Sequence, residues 1–300
     1  MFALATPKLD IQPDSPLSFE PTVQQMGYSM TKTFLTAALM AAVSSTAVLA
    51  DGHCADGKTL TEGTLTIATG NPAYYPWVMN DAPESGEGFE SAVAYAVAEE
   101  MGFSPENVAW TRSSFDQAIQ PGPKDFDLNL QQFSITEERE KMVDFSSPYY
   151  AAPMAVLVAA NVADTPATVD ALKDLVWGAM GGTTAVPVLM NNIAPSGDPL
   201  LYGDNADVTA AMQAGQIDAA LFDLPTALYL SAVVVEGSAV IGQFPADRTE
   251  NPDKFGMLME DGNPLKSCVD AAIASLTESG ELAGIEAEWL QETTGVPLIK

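Results

Sequence analysis

Apolar and polar positions alternate along this chain in two rhythms, one of period two and one of helical period. Leu65 to Thr69 alternates and ends in Gly70-Asn71-Pro72, which predicts a strand followed by a loop. Phe89 to Met101 carries apolar residues at helical spacing, and Val108 to Trp110 reads as a short strand. A helix beginning at Phe115 to Ile119 stops before Pro121-Gly122-Pro123, and Phe126 to Gln132 is strand-like again. After Tyr149-Tyr150 the run Ala151 to Ala160 is nearly all apolar and suits a strand crossing between domains. The rhythm then restarts. Helices are predicted over Val169–Leu175, Val208–Ala214 and Pro225–Val233, and strands over Trp177–Met180 and Ile217–Phe222. A turn at Gly181-Gly182-Thr183-Thr184 opens a further helix, a second crossing falls near Gly242 to Pro245, and Pro264–Leu276 and Glu281–Glu292 read as two amphipathic helices. Such alternation predicts α/β architecture with mainly parallel sheets flanked by helices. The surface turn and strand of Lys124-Asp125-Phe126-Asp127-Leu128 are echoed by Gly215-Gln216-Ile217-Asp218-Ala219, so two similar lobes are expected rather than a sequence repeat. Ligands in open α/β sheets bind beyond the carboxyl ends of the strands, and two such lobes facing each other enclose a cleft.

Residues 30–50 read as a secretory signal. Lys32 gives a short positive start, Phe34 to Val43 an apolar, alanine-rich core, and Val48-Leu49-Ala50 a small-residue cleavage site before Asp51. The core is too short for a transmembrane anchor to be the first choice. Residues 1–29 contain four prolines and no strong periodicity; the expectation is that the natural start is Met30 and that residues 1–29 are a non-native or disordered extension.

With 300 residues and 47% hydrophobic positions, the chain can bury two cores. Its net charge is −28, from 12 Lys and Arg against 40 Asp and Glu, which repels nucleic acid and anionic membranes. Each arginine in an apolar setting is therefore informative. The single histidine, His53, follows the cleavage site and lies outside the expected folded body, which excludes His-based triads and imidazole acid–base work. Two cysteines, Cys54 and Cys268, show no metal or redox spacing. In an exported chain they either pair or stay as two thiols, and the oxidising compartment favours pairing. No metal site and no cofactor is expected.

The most informative stretch is Gln131-Gln132-Phe133-Ser134-Ile135-Thr136-Glu137-Glu138-Arg139, followed by Val143-Asp144-Phe145-Ser146-Ser147-Pro148-Tyr149-Tyr150. It reads as a buried strand ending in polar residues, a turn, and a helix with an arginine in its first turn. Ser134 and Glu137 fit a capping box, with Thr136 as the alternative cap. Hydroxyls, backbone N–H groups and a guanidinium would then converge, as a carboxylate requires. An ordinary capped surface helix with a solvated Arg139 has the same spacing. The motif Ser134-Ile135-Thr136-Glu137-Glu138-Arg139 with Asp144-Phe145-Ser146-Ser147-Pro148-Tyr149 resembles the signature of the periplasmic amino-acid-binding proteins of ABC importers, the extracellular solute-binding family 3.

That resemblance implies a two-lobed periplasmic-binding-protein fold of type II, with a discontinuous first lobe (residues 51–150 and 246–300) and a second lobe (151–245, crossing strands included). It implies a periplasmic, monomeric protein that captures a free L-amino acid and delivers it to an ABC permease. It places Arg139 and Ser134 on the ligand carboxylate and likens Thr183 and Thr184 to the second-lobe turn that closes over it. It makes Asp223 the ammonium-binding acid, Tyr74 the stacking aromatic and Phe115 the aromatic facing it. Asp223 also reads from the residues alone as a helix N-cap, and Phe115 as plain core. Gln131 and Gln132 stand where small hydroxyl residues are usual, and their longer amides would reshape the pocket. Asn71 stands where binders of basic amino acids tend to carry an acid, so a neutral polar or modestly apolar amino acid is expected. No additional arginine is clearly aimed at the pocket for an acidic side chain, with Arg112 as a candidate. Two alternatives share the fold: an exported cyclohexadienyl-dehydratase-like enzyme, which should lack Asp223, and a ligand-sensing module for a membrane receptor. A non-enzymatic role is expected.

Overall fold

The computed structural model describes residues 53–244, 253–290 and 295–300. The signal segment, the extension before it, and Pro245 lie outside the described residues. The strands are β1 (Leu65–Thr69), β2 (Val108–Arg112), β3 (Leu128–Asn129), β4 (Val143–Phe145), β5 (Tyr150–Ala152) and β6 (Met154–Val158). They continue as β7 (Trp177–Met180), β8 (Leu200–Tyr202), β9 (Ala219–Asp223), β10 (Ala239–Gln243), β11 (Asp253–Phe255) and β12 (Leu258–Glu260). The α-helices are α1 (Phe89–Glu100), α2 (Phe115–Ala118), α3 (Val169–Leu172), α4 (Ala185–Val188), α5 (Asn205–Gln213), α6 (Leu224–Tyr229), α7 (Lys266–Ser279) and α8 (Glu281–Trp289).

Two five-stranded sheets result, in the orders β2-β1-β3-β12-β4 and β10-β6-β9-β7-β8. Each mixes parallel and antiparallel pairs. In the first, β1 runs parallel to β2 and β3, while β12 is antiparallel to β3 and β4. In the second, β7 runs parallel to β8 and β9, while β6 is antiparallel to β9 and β10. A two-stranded ribbon of β5 and β11 joins the lobes. The apolar run 151–160 is therefore divided: Pro153 separates ribbon strand β5 from the central strand β6.

Period two explains β6. Ala155 and Leu157 enter one core cluster, with Met212, Ile217 and Phe222; Met154, Val156 and Val158 enter another, with Trp177, Leu189 and Phe244. Such burial on both faces is why the strand is apolar throughout. In the first lobe, Phe89, Val93 and Val97 on α1 pack with Val269, Ile273 and Leu276 on α7. A Cys54–Cys268 disulfide, with Cα atoms 5.7 Å apart, ties the segment before β1 to α7. His53 is exposed but its ring lies against Gly102 at the end of α1, so it sits on the folded body rather than off it. Among the described residues no helix is long and apolar enough to cross a membrane.

Three local expectations change. The strand expected over Phe126–Gln132 shrinks to Leu128–Asn129, and Gln132 adopts a positive φ of 52° that turns the chain out of the sheet. The Ser134/Glu137 capping box does not form. A single 3-10 turn, Arg139–Lys141, follows instead, and the Arg139 N–H donates to Thr136 Oγ1 at 3.2 Å. The end of the chain also differs from a first lobe running through residue 300. Gln243 N–H donates to Pro297 O, Ile299 N–H to Gln243 O, and Val169 N–H to Lys300 O. Ile299 is buried in the second lobe's core, so burial of this side chain draws the last residues across.

Candidate functional site

Between the lobes lies a cavity of about 220 Å³ lined from both sides. It is smaller than the roughly 300–1,000 Å³ typical of pockets for drug-sized ligands, so it suits a small solute. All ten candidate residues line it: Asn71, Tyr74, Phe115, Gln131, Gln132, Ser134 and Arg139 from the first lobe, and Thr183, Thr184 and Asp223 from the second.

Arg139 is buried at one end. Its Nη1 donates to Ser134 O at 2.8 Å and its Nη2 to Gly182 O, on the opposite lobe, at 2.9 Å. The guanidinium also lies 5.2 Å from the centroid of the Phe115 ring, which stacks on Phe133 at 4.7 Å. Phe115 is thus both cavity wall and core. Burial lowers the arginine's pKa, while Asp253 and Glu138 oppose the shift; the group stays charged. Ser134 Oγ lies 3.2 Å from Thr184 Oγ1 across the cleft, and Thr183 Oγ1 donates to Met180 O at 2.8 Å. Gly182, between the two thr-bearing and strand segments, has φ +74°, and a Cβ there would meet Asp116 Oδ1 at 2.9 Å. A side chain at this position would be strained by that φ and would push the Asp116 carboxylate aside.

Asp223 ends β9 and caps α6, where its Oδ1 accepts from Thr226 N–H at 2.8 Å. Burial pushes its carboxyl up to about 6 against the Thr226 N–H and hydroxyl, which lower it, while the nearby Asp253 raises it. Tyr74 lines the cavity and its hydroxyl donates to Asp204 Oδ1 at 2.8 Å, again across the cleft. Burial and then Asp204 hold this phenol well above its ordinary range.

The two glutamines face the cavity with their amides already engaged. Gln131 Nε2 donates to Asn129 Oδ1 and Ser113 Oγ, while Gln132 donates through its backbone N–H and its amide to Glu90. Arg112 turns away from the cavity, to Asp81 and the carbonyls of Gly70 and Asp81. It fixes the first loop, and among the described residues no second arginine lines the cavity for an acidic ligand side chain.

Sequence reasoning missed four acids. Glu90, 1% exposed, lies below the cavity floor and accepts from the Tyr149 hydroxyl and Gln132. Burial pushes it up to about 7, opposed by those hydrogen bonds, and Asp223 adds to the rise. Its signal was available: Glu90, Ala94, Val97, Ala98 and Met101 fall on one helical stripe, where an acid is out of place. Asp253, on the joining strand β11, is buried in the cavity wall and lines the same cavity as Ser134, Thr184 and Arg139. Burial raises its carboxyl, while Ser134, Thr184 and the charge of Arg139 pull it down. Asp116 and Asp204 complete the lining. Among the described residues no group of three His, Cys, Asp or Glu side chains is placed to hold a metal ion.

This two-lobed arrangement has relatives. Residues 65–292 match the model of the bacterial extracellular solute-binding proteins, family 3. The chain belongs to that family. It is 28% identical over 242 residues to an arginine-binding periplasmic protein of Mannheimia haemolytica, covering 78% of this chain and 94% of the relative. It is likewise 28% identical over 237 residues to the L-cystine-binding protein of Escherichia coli strain K12, covering 77% and 84%. Among solved structures, an ancestral arginine-binding protein bound to glutamine superposes with a TM-score of 0.64 at 26% identity, covering 77% of this chain and all of that one. An ancestral amino-acid-binding protein described as a precursor of cyclohexadienyl dehydratase gives a TM-score of 0.61 at 26% identity, covering 76% and 96%. The family 3 chain thus has the type II periplasmic-binding-protein fold, and its relatives are amino-acid-binding proteins.

Proposed function

We propose that the protein is a periplasmic carrier that captures a free L-amino acid in this cleft and delivers it to an ABC permease. The observation that carries the reading is the placement of Arg139 and Asp223 on opposite lobes of one small cavity. A zwitterion needs a cation at one end and an acid at the other, because an unpaired charge in a dry cleft costs several kcal/mol. Arg139, with the Ser134 and Thr184 hydroxyls, takes the carboxylate; Asp223 takes the ammonium; Tyr74 and Phe115 border the side chain. Since the two charges are read from different lobes, the ligand bridges them and stabilises closure about the β5–β11 ribbon.

The acids revise the substrate preference. Among the described residues, Asp116, Asp204, Asp223 and Asp253 line the cavity and Arg139 is the one cationic side chain beside them. That balance favours an amino acid with a cationic side chain over the neutral one suggested by Asn71, in keeping with the arginine-binding relative. Asp223 also separates this reading from the dehydratase one, in which the ammonium-binding acid is expected to be lost. The test is calorimetric titration of protein refolded to strip carried-over solute, against L-amino acids, D-amino acids and prephenate. Micromolar or tighter binding of an L-amino acid, with weak D-isomer binding, is expected. Silence across the amino acids, or turnover of prephenate, would defeat the proposal.

A further inference from the structure

The chain holds the amides of two cavity residues in fixed orientations. Asn129 is fully buried and its Nδ2 donates to Ser113 Oγ at 2.8 Å, so its Oδ1 is the end that meets Gln131. Gln131 Nε2 donates to that Oδ1 at 2.9 Å and to Ser113 Oγ at 3.1 Å. Glu90 orients Gln132 in a similar way. Its Oε1 accepts from the Gln132 backbone N–H at 2.8 Å and from the Tyr149 hydroxyl, and its Oε2 accepts from the Gln132 amide. An ionised carboxylate only accepts, so the NH2 end of Gln132 turns toward it. This two-point hold keeps Gln132 at its φ of 52°. The oxygen of each amide is left over. Among the described residues, no group donates to Gln131 Oε1 or Gln132 Oε1. Neither oxygen is sealed in the protein, since Ser91 Oγ is the one buried side-chain N or O atom among the described residues that lacks a partner. Both side chains line the cavity, and Gln131 Oε1 lies beside Gly70, which lines it too, 3.4 Å from where a Cβ would stand on that glycine.

We infer that the carbonyl oxygens of Gln131 and Gln132 are paired acceptors for the ligand side chain, and that they select one ending in N–H donors with no acceptor of its own, a guanidinium. The inference rests on the carrier reading and adds the end group of the substrate to it. Its physical basis is pairing. A carbonyl oxygen that closes into the cleft without a donor costs about 1–3 kcal/mol. A guanidinium presents five N–H donors in one plane, and its charge strengthens each bond it makes. A carboxamide or ureido end brings a carbonyl oxygen of its own, whose lone pairs oppose those of the glutamines. A carboxylate brings two oxygens and a charge, and an alkyl end leaves both glutamine oxygens unpaired. Sites built on hydrogen-bond acceptors discriminate strongly for this reason, because the wrong ligand strands polar groups away from water. Gln131 and Gln132 are therefore specificity-determining residues. Glu90 acts through Gln132 and is a positioning residue: as an acceptor alone, it keeps the Gln132 oxygen turned away from itself.

L-arginine and L-citrulline test this, since citrulline has the same shape but carries a carbonyl oxygen in place of one guanidinium nitrogen. Calorimetry on stripped protein is done at about pH 8, above the value of about 7 to which burial raises Glu90, so that Glu90 is ionised. Wild type should bind arginine at least about tenfold more tightly than citrulline. The double variant Gln131→Met with Gln132→Met, close in shape but without the carbonyls, should narrow that ratio by at least about tenfold, or about 1.4 kcal/mol. Should the double variant not fold, Gln131→Met alone should narrow it by at least about threefold. The cavity acids are unchanged in these variants, so a change in the ratio reports the amides. Glu90→Gln, which offers Gln132 an N–H as well as a carbonyl, should narrow the ratio in the same direction; a purely structural role would weaken both ligands alike and would overturn its part. An unchanged ratio in the methionine variants, or a wild type that prefers citrulline, would overturn the inference while leaving the carrier reading intact. If no amino acid binds the wild type, the carrier reading fails and the inference fails with it.

Discussion

Asp223 serves two groups with one carboxylate: it caps α6 through Thr226 N–H and lines the cavity. Asp223→Ala should weaken amino-acid binding by more than about 2 kcal/mol, because a bound ammonium would be left unpaired. Calorimetry on a folded variant measures it, and near-native affinity would reject the assignment. Arg139→Lys should also weaken binding, by about tenfold or more, since an ammonium cannot reproduce the planar fork that reaches both lobes. The raised carboxyls also give stability a pH dependence. Glu90 and Asp223 have folded values of about 7 and about 6, above ordinary values of 4.5 and 3.8. Between roughly pH 4 and pH 7 the folded state therefore binds more protons than the unfolded one, and stability falls as pH rises through that window. Glu90→Gln should remove about half of this slope in urea unfolding, Asp223 supplying the rest; an unchanged slope would show that Glu90 is not one of its sources. Amino-acid affinity should run the other way below about pH 6, because protonated Asp223 no longer attracts an ammonium.

Short elements carry the site, and they mark the limit of what the sequence made legible. Long periodic stretches such as α1 and α7 and the apolar β6 could be read directly, because burial dictates residue type over many turns. Asp223 could be read because it stands at the end of an apolar run with a turn after it, whereas Arg139 follows a polar turn and is singled out only by the family resemblance. The turn at Ser134 could not. Its Ser134 hydroxyl meets that of Thr184, which arrives from a distant segment, and a three-residue strand such as β11 leaves no periodic trace. The partners of Gln131 and Gln132 are hidden for the same reason: both line the cavity, but Asn129, Ser113 and Glu90 engage their amides. At this scale the Cys54–Cys268 bond is also testable, since it spans 214 residues. A link of that length is worth about 5 kcal/mol in the chain-entropy model, and native bridges commonly deliver about 2–5. Replacing both cysteines with serine should lower the urea midpoint accordingly, and an unchanged midpoint would show that the link adds nothing to α7 packing.

Across the whole molecule, the lobes meet through a small set of specific contacts. Tyr74 reaches Asp204, the Trp77 Nε1–H donates to Thr226 Oγ1 at 2.8 Å, the rings of Tyr75 and Tyr229 lie 4.7 Å apart, and Arg139 reaches Gly182. A solute charged at both ends adds two charge-assisted contacts to this set, one to each lobe. Binding should therefore stabilise the protein as a unit, by about 2.7 kcal/mol at a ligand concentration a hundred times Kd, seen as a rise in Tm that the Asp223→Ala variant loses. The most direct test of the account is a crystal structure with the tightest-binding L-amino acid of the calorimetric panel. The account predicts the carboxylate on Arg139 with the Ser134 and Thr184 hydroxyls, and the ammonium on Asp223. A ligand bound in the reverse orientation, or outside this cleft, would contradict it.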